Sequence, residues 1–133
     1  RFESQFGSKV NRLAFSPTEP LLAVGDWKGN IVLYNTTTMK VVPPPLKAYT
    51  ERVLSLAFSP DGRTLASSGE GGELKLWHVA MRQVALTLKG HVGPVYGIAF
   101  SRDGTFMATC GVDATVRLWH AATLAEAEAA TKK

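Results

Sequence analysis

The sequence has little of what most chemistry needs. One cysteine, Cys110, stands among 133 residues, so no internal disulfide can form and a cysteine-built zinc site is excluded. A reducing compartment, and with it a cytoplasmic location, is the expectation. There are three histidines and no apolar run of membrane-spanning length, so no membrane partner is expected. The net charge of +4 is mild, and Lys132 and Lys133 supply half of it. The other basic residues are scattered without aromatic interleaving, so nothing points to nucleic acid. No charged-then-apolar leader follows Arg1, and the chain reads as a segment of something longer.

What the chain has in abundance is itself. VNRLAFSP (Val10 to Pro17), VLSLAFSP (Val53 to Pro60) and VYGIAFSR (Val95 to Arg102) are three versions of one phrase. Phe15, Phe58 and Phe100 close their cores, 43 and 42 residues apart. Tyr34, Trp77 and Trp119 keep the same spacing in IVLYN, LKLWH and VRLWH. A period in the low forties, with short alternating strands between turns, predicts β-propeller blades. The fold class is therefore all-β, with three repeats of four-stranded antiparallel sheet at about 7–47, 48–89 and 90–120. Asp61-Gly62 and Asp103-Gly104 supply turns where positive φ carries no steric penalty. Lys40 to Val42, stopped by Pro43-Pro44-Pro45, reads as a short outer strand. Residues 1–6 read as a leading outer strand, and 121–133 as an Ala/Glu-rich helix or frayed tail. The third repeat then lacks a fourth strand of its own.

These residues resemble the WD40 repeat family, over nearly the whole chain up to Trp119. In the third repeat Gly90-His91 opens, Phe100 to Gly104 sits mid-way and Asp113 precedes VRLW. The resemblance implies a buried hydrogen-bonded tetrad of His91, Thr109, Asp113 and Trp119. The second repeat has Tyr49, Ser67, Gly71 and Trp77 at those positions, a partial tetrad of Ser67 and Trp77 without histidine or aspartate. The first has Phe6, Val24, Lys28 and Tyr34. The first two blades are therefore expected to lack the polar lock of the third. The aspartate usual in the family after the aromatic is replaced by Asn35, His78 and His120. FSPDGRTLASSG is similar to bacterial WD40 arrays, which often follow a kinase or nucleotide-hydrolysing domain, and the end after LWHAAT looks like a natural C-terminus.

No catalytic set is legible. Gly69-Glu70-Gly71-Gly72 lacks the lysine and following helix of a phosphate loop and reads as a β-turn. His78 and His120 occupy one position of successive repeats, which keeps them apart as metal ligands. His91 reads as a tetrad member rather than a base, and Cys110, aligned with Gly25 and Ser68, as packing on a buried strand. No catalytic residue, metal or cofactor is expected. The reading is a non-catalytic interaction module or scaffold that presents loops to a protein or peptide. The alternative is a regulatory or substrate-recruiting C-terminal segment of a multidomain bacterial enzyme, and a third is an architectural element that orders oligomers.

The resemblance places the contact face at Trp27, Glu70 and Val112 in one set of turns. At the strand entries it places Lys9, Asn11, Arg52, Leu54, Pro94 and Tyr96. Trp27 stands out there, as a binding anchor or as packing between blades. Propellers close with roughly four to eight blades, so three imply an incomplete ring. Upstream repeats are the favoured completion. A second copy is the other, with residues 1–6 filling the vacant outer strand of its third blade.

Overall fold

The computed structural model describes residues 7–120, all strand, turn or irregular structure. The leading strand expected at 1–6 and the tail at 121–133 lie outside the described residues. β1 (Val10–Phe15), β2 (Leu21–Asp26), β3 (Asn30–Asn35) and β4 (Lys40–Lys47) form the first sheet. β5 (Ser55–Phe58), β6 (Thr64–Ser68), β7 (Glu73–His78) and β8 (Gln83–Lys89) form the second. β9 (Val95–Phe100), β10 (Phe106–Gly111) and β11 (Val116–His120) form the third. Every pairing is antiparallel between consecutive strands, so each sheet is an up-and-down meander. Three such sheets, left open, are propeller blades. No helix among the described residues is long and apolar enough to cross a membrane.

Local chemistry sets the hairpins. Between β5 and β6, Ser59 donates to Asp61 at 2.6 Å, and the Arg63 amide donates to the same carboxylate at 3.0 Å. Ser101 and Asp103 repeat the device between β9 and β10, with Thr105 as the amide donor. These bonds hold both aspartates below the usual carboxylate range. The Ser59 hydroxyl is the largest cause at Asp61, and the Thr105 amide at Asp103. The first blade has no aspartate there, and Ser16 Oγ alone accepts from the amides of Thr18 and Glu19.

The outer strand of the first blade differs from expectation. It does not stop at Val42. β4 runs on through the three prolines to Lys47, with its register slipping between the pairs Leu33–Val42 and Ile31–Leu46. Proline is tolerated because β4 is an edge, where half the backbone needs no sheet partner, and a bulge absorbs the misfit.

Successive blades meet through their first strands and bury two apolar clusters between them. Ala23, Ile31 and Leu33 of blade one pack with Val53, Leu56, Leu65 and Trp77 of blade two. Ala66, Leu74 and Leu76 of blade two pack with Val95 and Met107, backed by Ile98 and Phe100. Polar ties lock the same junctions. Asn11 Nδ2 donates to the Val53 carbonyl at 2.8 Å and Arg12 Nε to that of Leu54 at 2.7 Å. Ser68 Oγ donates to the Val95 carbonyl at 2.8 Å. Gly29 and Gly72 adopt φ of +87° and +86°, and a Cβ there would strike the carbonyls of Tyr49 and His91 on the next blade. Backbone contact between blades thus demands glycine at both turns.

Candidate interaction face

In the third blade a relay runs from the indole to the carboxylate. Trp119 Nε1 donates to Thr109 Oγ1 at 3.1 Å, and Thr109 Oγ1 lies 2.8 Å from His91 Nε2. His91 Nδ1 sits 3.1 Å from both oxygens of Asp113. The threonine accepts from the indole, so its own proton is free for Nε2; the imidazole proton then belongs on Nδ1, facing the carboxylate. Asp113 also accepts from the Val92 amide at 3.0 Å and from the Thr115 hydroxyl at 2.8 Å. The Val92 amide first, then Thr115, hold its carboxyl well below the usual range. A serine-protease likeness is one of composition only, because the hydroxyl is buried against tryptophan rather than offered to a substrate.

The second blade has neither the histidine nor the aspartate of that relay, with Tyr49 and Gly71 in their places. It keeps a polar lock of its own. Trp77 Nε1 donates to Ser67 Oγ at 3.0 Å, and the Tyr49 phenol lies 3.1 Å from the same oxygen. Tyrosine in the histidine position reaches the serine directly, and no aspartate is needed to orient it. Burial pushes the Tyr49 phenol above its ordinary range, so it stays neutral and able to donate. Lys75 Nζ stacks 5.3 Å from the Tyr49 ring centroid and donates to the Ala48 carbonyl at 2.6 Å. The signal was in plain view: a hydrogen-bonding aromatic opposite an intact serine–tryptophan pair. In the first blade Val24 and Tyr34 are buried and Lys28 is exposed, while Phe6 lies outside the described residues.

Where the aspartate is missing, the surface opens. A cavity of about 620 Å³ is lined by Tyr49, Thr50, Glu51, Glu70, Gly71 and Glu73 among others, and a Cβ on Gly71 would touch nothing.

Around the neighbouring turn the expected contact residues divide. Trp27 is 44% exposed, held out by a turn that Asp26 closes by accepting from the amides of Lys28 and Asn30, both at 2.9 Å. Lys9 Nζ lies 4.7 Å and Arg52 Cζ 5.2 Å from the indole centroid. Arg52 Nε and Nη2 both reach Glu70 Oε1 at 2.5 Å. Glu51 is held above the usual carboxylate range by a hydrogen bond to Glu70 and by its charge. That same hydrogen bond, then Arg52, holds Glu70 below it. The structure thus joins Lys9, Trp27, Arg52 and Glu70 into one cation–indole–carboxylate cluster spanning blades one and two. Tyr96 and Val112 are exposed and Pro94 half-buried on blade three, where the Val112 amide bonds the Pro94 carbonyl.

Three residues do not fit their expected places. Leu54 is buried, because β5 has a blade on each side and Arg12 covers its carbonyl. Asn11 is committed to the Val53 carbonyl and ties blades together rather than facing outward. Cys110 is exposed, because no other blade among the described residues packs on its side of the third sheet. Among the described residues, no three His, Cys, Asp or Glu side chains converge as a metal site.

Comparison with known proteins matches residues 82–120 to the family described as "WD domain, G-beta repeat". Residues 13–95 match the "Anaphase-promoting complex subunit 4 WD40 domain" family. "COMPASS component SWD1" of Saccharomyces cerevisiae is 37% identical over 71 residues, 51% of this chain and 17% of that protein. "Target of rapamycin complex subunit wat1" of Schizosaccharomyces pombe is 37% identical over 71 residues, 53% of this chain and 22% of that protein. "Periodic tryptophan protein 2 homolog" of the same yeast is 33% identical over 70 residues, 53% of this chain and 8% of that protein. The chain thus spans less than a quarter of each of these relatives. They are fungal proteins, so the expected likeness to bacterial arrays with an upstream enzyme gains no support. With the period, the blades and the relay in agreement, the chain belongs to the WD40 repeat family.

Proposed function

We propose that the chain is a non-catalytic interaction module whose loop face, centred on Trp27, binds a protein or peptide. The observation that carries this is the cluster of Lys9, Trp27, Arg52 and Glu70. It sets a half-exposed indole among charged groups where loops from two blades meet. Tryptophan and arginine are the side chains most enriched at binding hot spots. A flanking cation strengthens such an anchor by holding the ring rigid before a partner arrives. Two relatives, a COMPASS component and a subunit of the target of rapamycin complex, support a role within protein assemblies.

The test is a paired capture. The unmodified chain and a Trp27→Ala variant of equal melting temperature are used as bait side by side. A partner retained by the first and lost by the second supports this face. A partner retained equally by both moves the site elsewhere.

A further inference from the structure

The charged groups at the loop end of the junction between blades one and two pair off with one another, and two are left over. Asp26 accepts from the amides of Lys28 and Asn30, and Glu70 holds Arg52. Glu51 is hydrogen-bonded to Glu70, and Glu73 lies 3.9 Å from Lys89. Among the cations, Arg52 is held by Glu70 and Arg12 by the carbonyls of Leu54 and Asn11. Lys9 lies over the indole of Trp27, and Lys75 over the ring of Tyr49 while it donates to the Ala48 carbonyl. The ammonium groups of Lys28 and Lys47 are exposed and have no such partner among the described residues.

Both stand on blade one, beside Trp27. Lys28 follows the tryptophan in the β2–β3 turn, and Lys47 ends β4 opposite Asn30. The Gly29 carbonyl ties that turn to the chain after β4 by accepting from the amides of Ala48 and Tyr49, both at 3.0 Å. Two unpaired cations thus border a half-exposed indole on a backbone that is fixed in place. Towards blade two the basic patch ends at Glu51, Glu70 and Glu73, which line the cavity beyond Lys47. The junction lies wholly within the described residues.

Taking the Trp27 face as the binding surface, on which this step rests, we propose that the segment it receives is acidic. An apolar side chain of the partner covers the indole, and Asp or Glu carboxylates beside it meet Lys28 and Lys47. Complementary charge of this kind fixes the register of a contact and speeds encounter. A longer polyanion matches less well. A nucleic-acid strand or an anionic membrane would run past two lysines onto the three glutamates and be repelled, whereas a short acidic segment ends before reaching them.

The experiment pans a displayed library of random peptides against the full chain, with counter-selection on Trp27→Ala. Peptides held by the first and not by the second are expected to carry Asp or Glu next to an apolar residue. Titrated as labelled peptides, they should bind about tenfold more weakly to a Lys28→Glu, Lys47→Glu double variant, and more weakly to the unmodified chain as salt rises. Changing their acidic residues to lysine should restore binding to the double variant. Lys40→Glu, at the opposite end of β4, should leave affinity unchanged. All three lysines are exposed, and circular dichroism checks that the variants stay folded. Trp27-dependent peptides without acidic residues, or a double variant that binds them as well as the unmodified chain does, would overturn the proposal and leave the Trp27 face standing. A library with no Trp27-dependent peptide would remove the face and the proposal together. Single-stranded oligonucleotides or phosphatidylserine vesicles that bind the unmodified chain and not the double variant would assign the lysines to a polyanion and overturn it as well.

Discussion

The phenol of Tyr49 and the hydroxyl of Ser67 stand 3.1 Å apart, and that one bond replaces two residues of the third blade's relay. His91 and Asp113 together orient Thr109; Tyr49 takes their place at Ser67, whose hydroxyl also donates to the Lys75 carbonyl at 3.5 Å. Both blades use a buried hydroxyl as acceptor for a tryptophan N–H, so both are open to the same test.

Thr109→Val keeps the volume but removes the acceptor of Trp119 and the partner of His91. A loss of about 1–3 kcal/mol is expected, because a buried donor is left unmade. Ser67→Ala should fall in the same range of about 1–3 kcal/mol, since Trp77 and Tyr49 both lose their partner. Urea unfolding of both variants checks this. A Ser67→Ala protein as stable as the unmodified chain would show that the second blade has no polar lock.

The carboxyl of Asp113 is depressed in the folded chain, so it binds a proton less readily there than when unfolded. Its contribution to stability is complete above the unfolded value of about 4 and is lost as pH falls toward the folded one. Asp61 and Asp103 shift the same way. The difference between unmodified and Asp113→Asn melting temperatures isolates the one group. That difference should be constant near neutrality and shrink below about pH 5. A difference that grows on acidification would contradict the assignment.

Gly25→Ala should destabilise by about 1–3 kcal/mol, because the new methyl meets the branched carbon of Val53 as well as its methyl, and neither can swing aside. Gly71→Ala adds the same atom into open space and should change stability by no more than about 0.5 kcal/mol. Thermal melts of the pair read the contrast directly.

Most of the fold was legible because its landmarks are local. The Phe15–Phe58–Phe100 and Tyr34–Trp77–Trp119 series fix the repeat, and Asp-Gly turns fix two of the hairpins. What the sequence hid depended on neighbours. Leu54 and Tyr96 occupy one repeat position, yet only Leu54 is buried, because blades flank it on both sides. Cys110 reads as a core position by alignment, and is exposed because no blade among the described residues packs on its side of the third sheet. The Lys9–Trp27–Arg52–Glu70 cluster joins side chains up to 61 positions apart, and only the docking of two blades brings them together.

Trp27→Ala should weaken partner binding by about 2 kcal/mol or more with little change in melting temperature, as expected for a half-exposed anchor. Removing the flanking charges with Lys9→Ala or Arg52→Ala should cost less, about 0.5–1 kcal/mol each for the contact with the ring. Calorimetric titration of the captured partner measures all three. Equal losses would mean that the cations bind the partner directly.

The prolines of β4 reach beyond the shape of one strand. Pro43, Pro44 and Pro45 offer no N–H on the outermost margin of the first blade. A stray extended segment seeking a hydrogen-bonding template finds acceptors there but no donors, and cannot zip on. That stretch of rim is a poor template for strand addition, a protection that β8, the proline-free outer strand of the second blade, does not share.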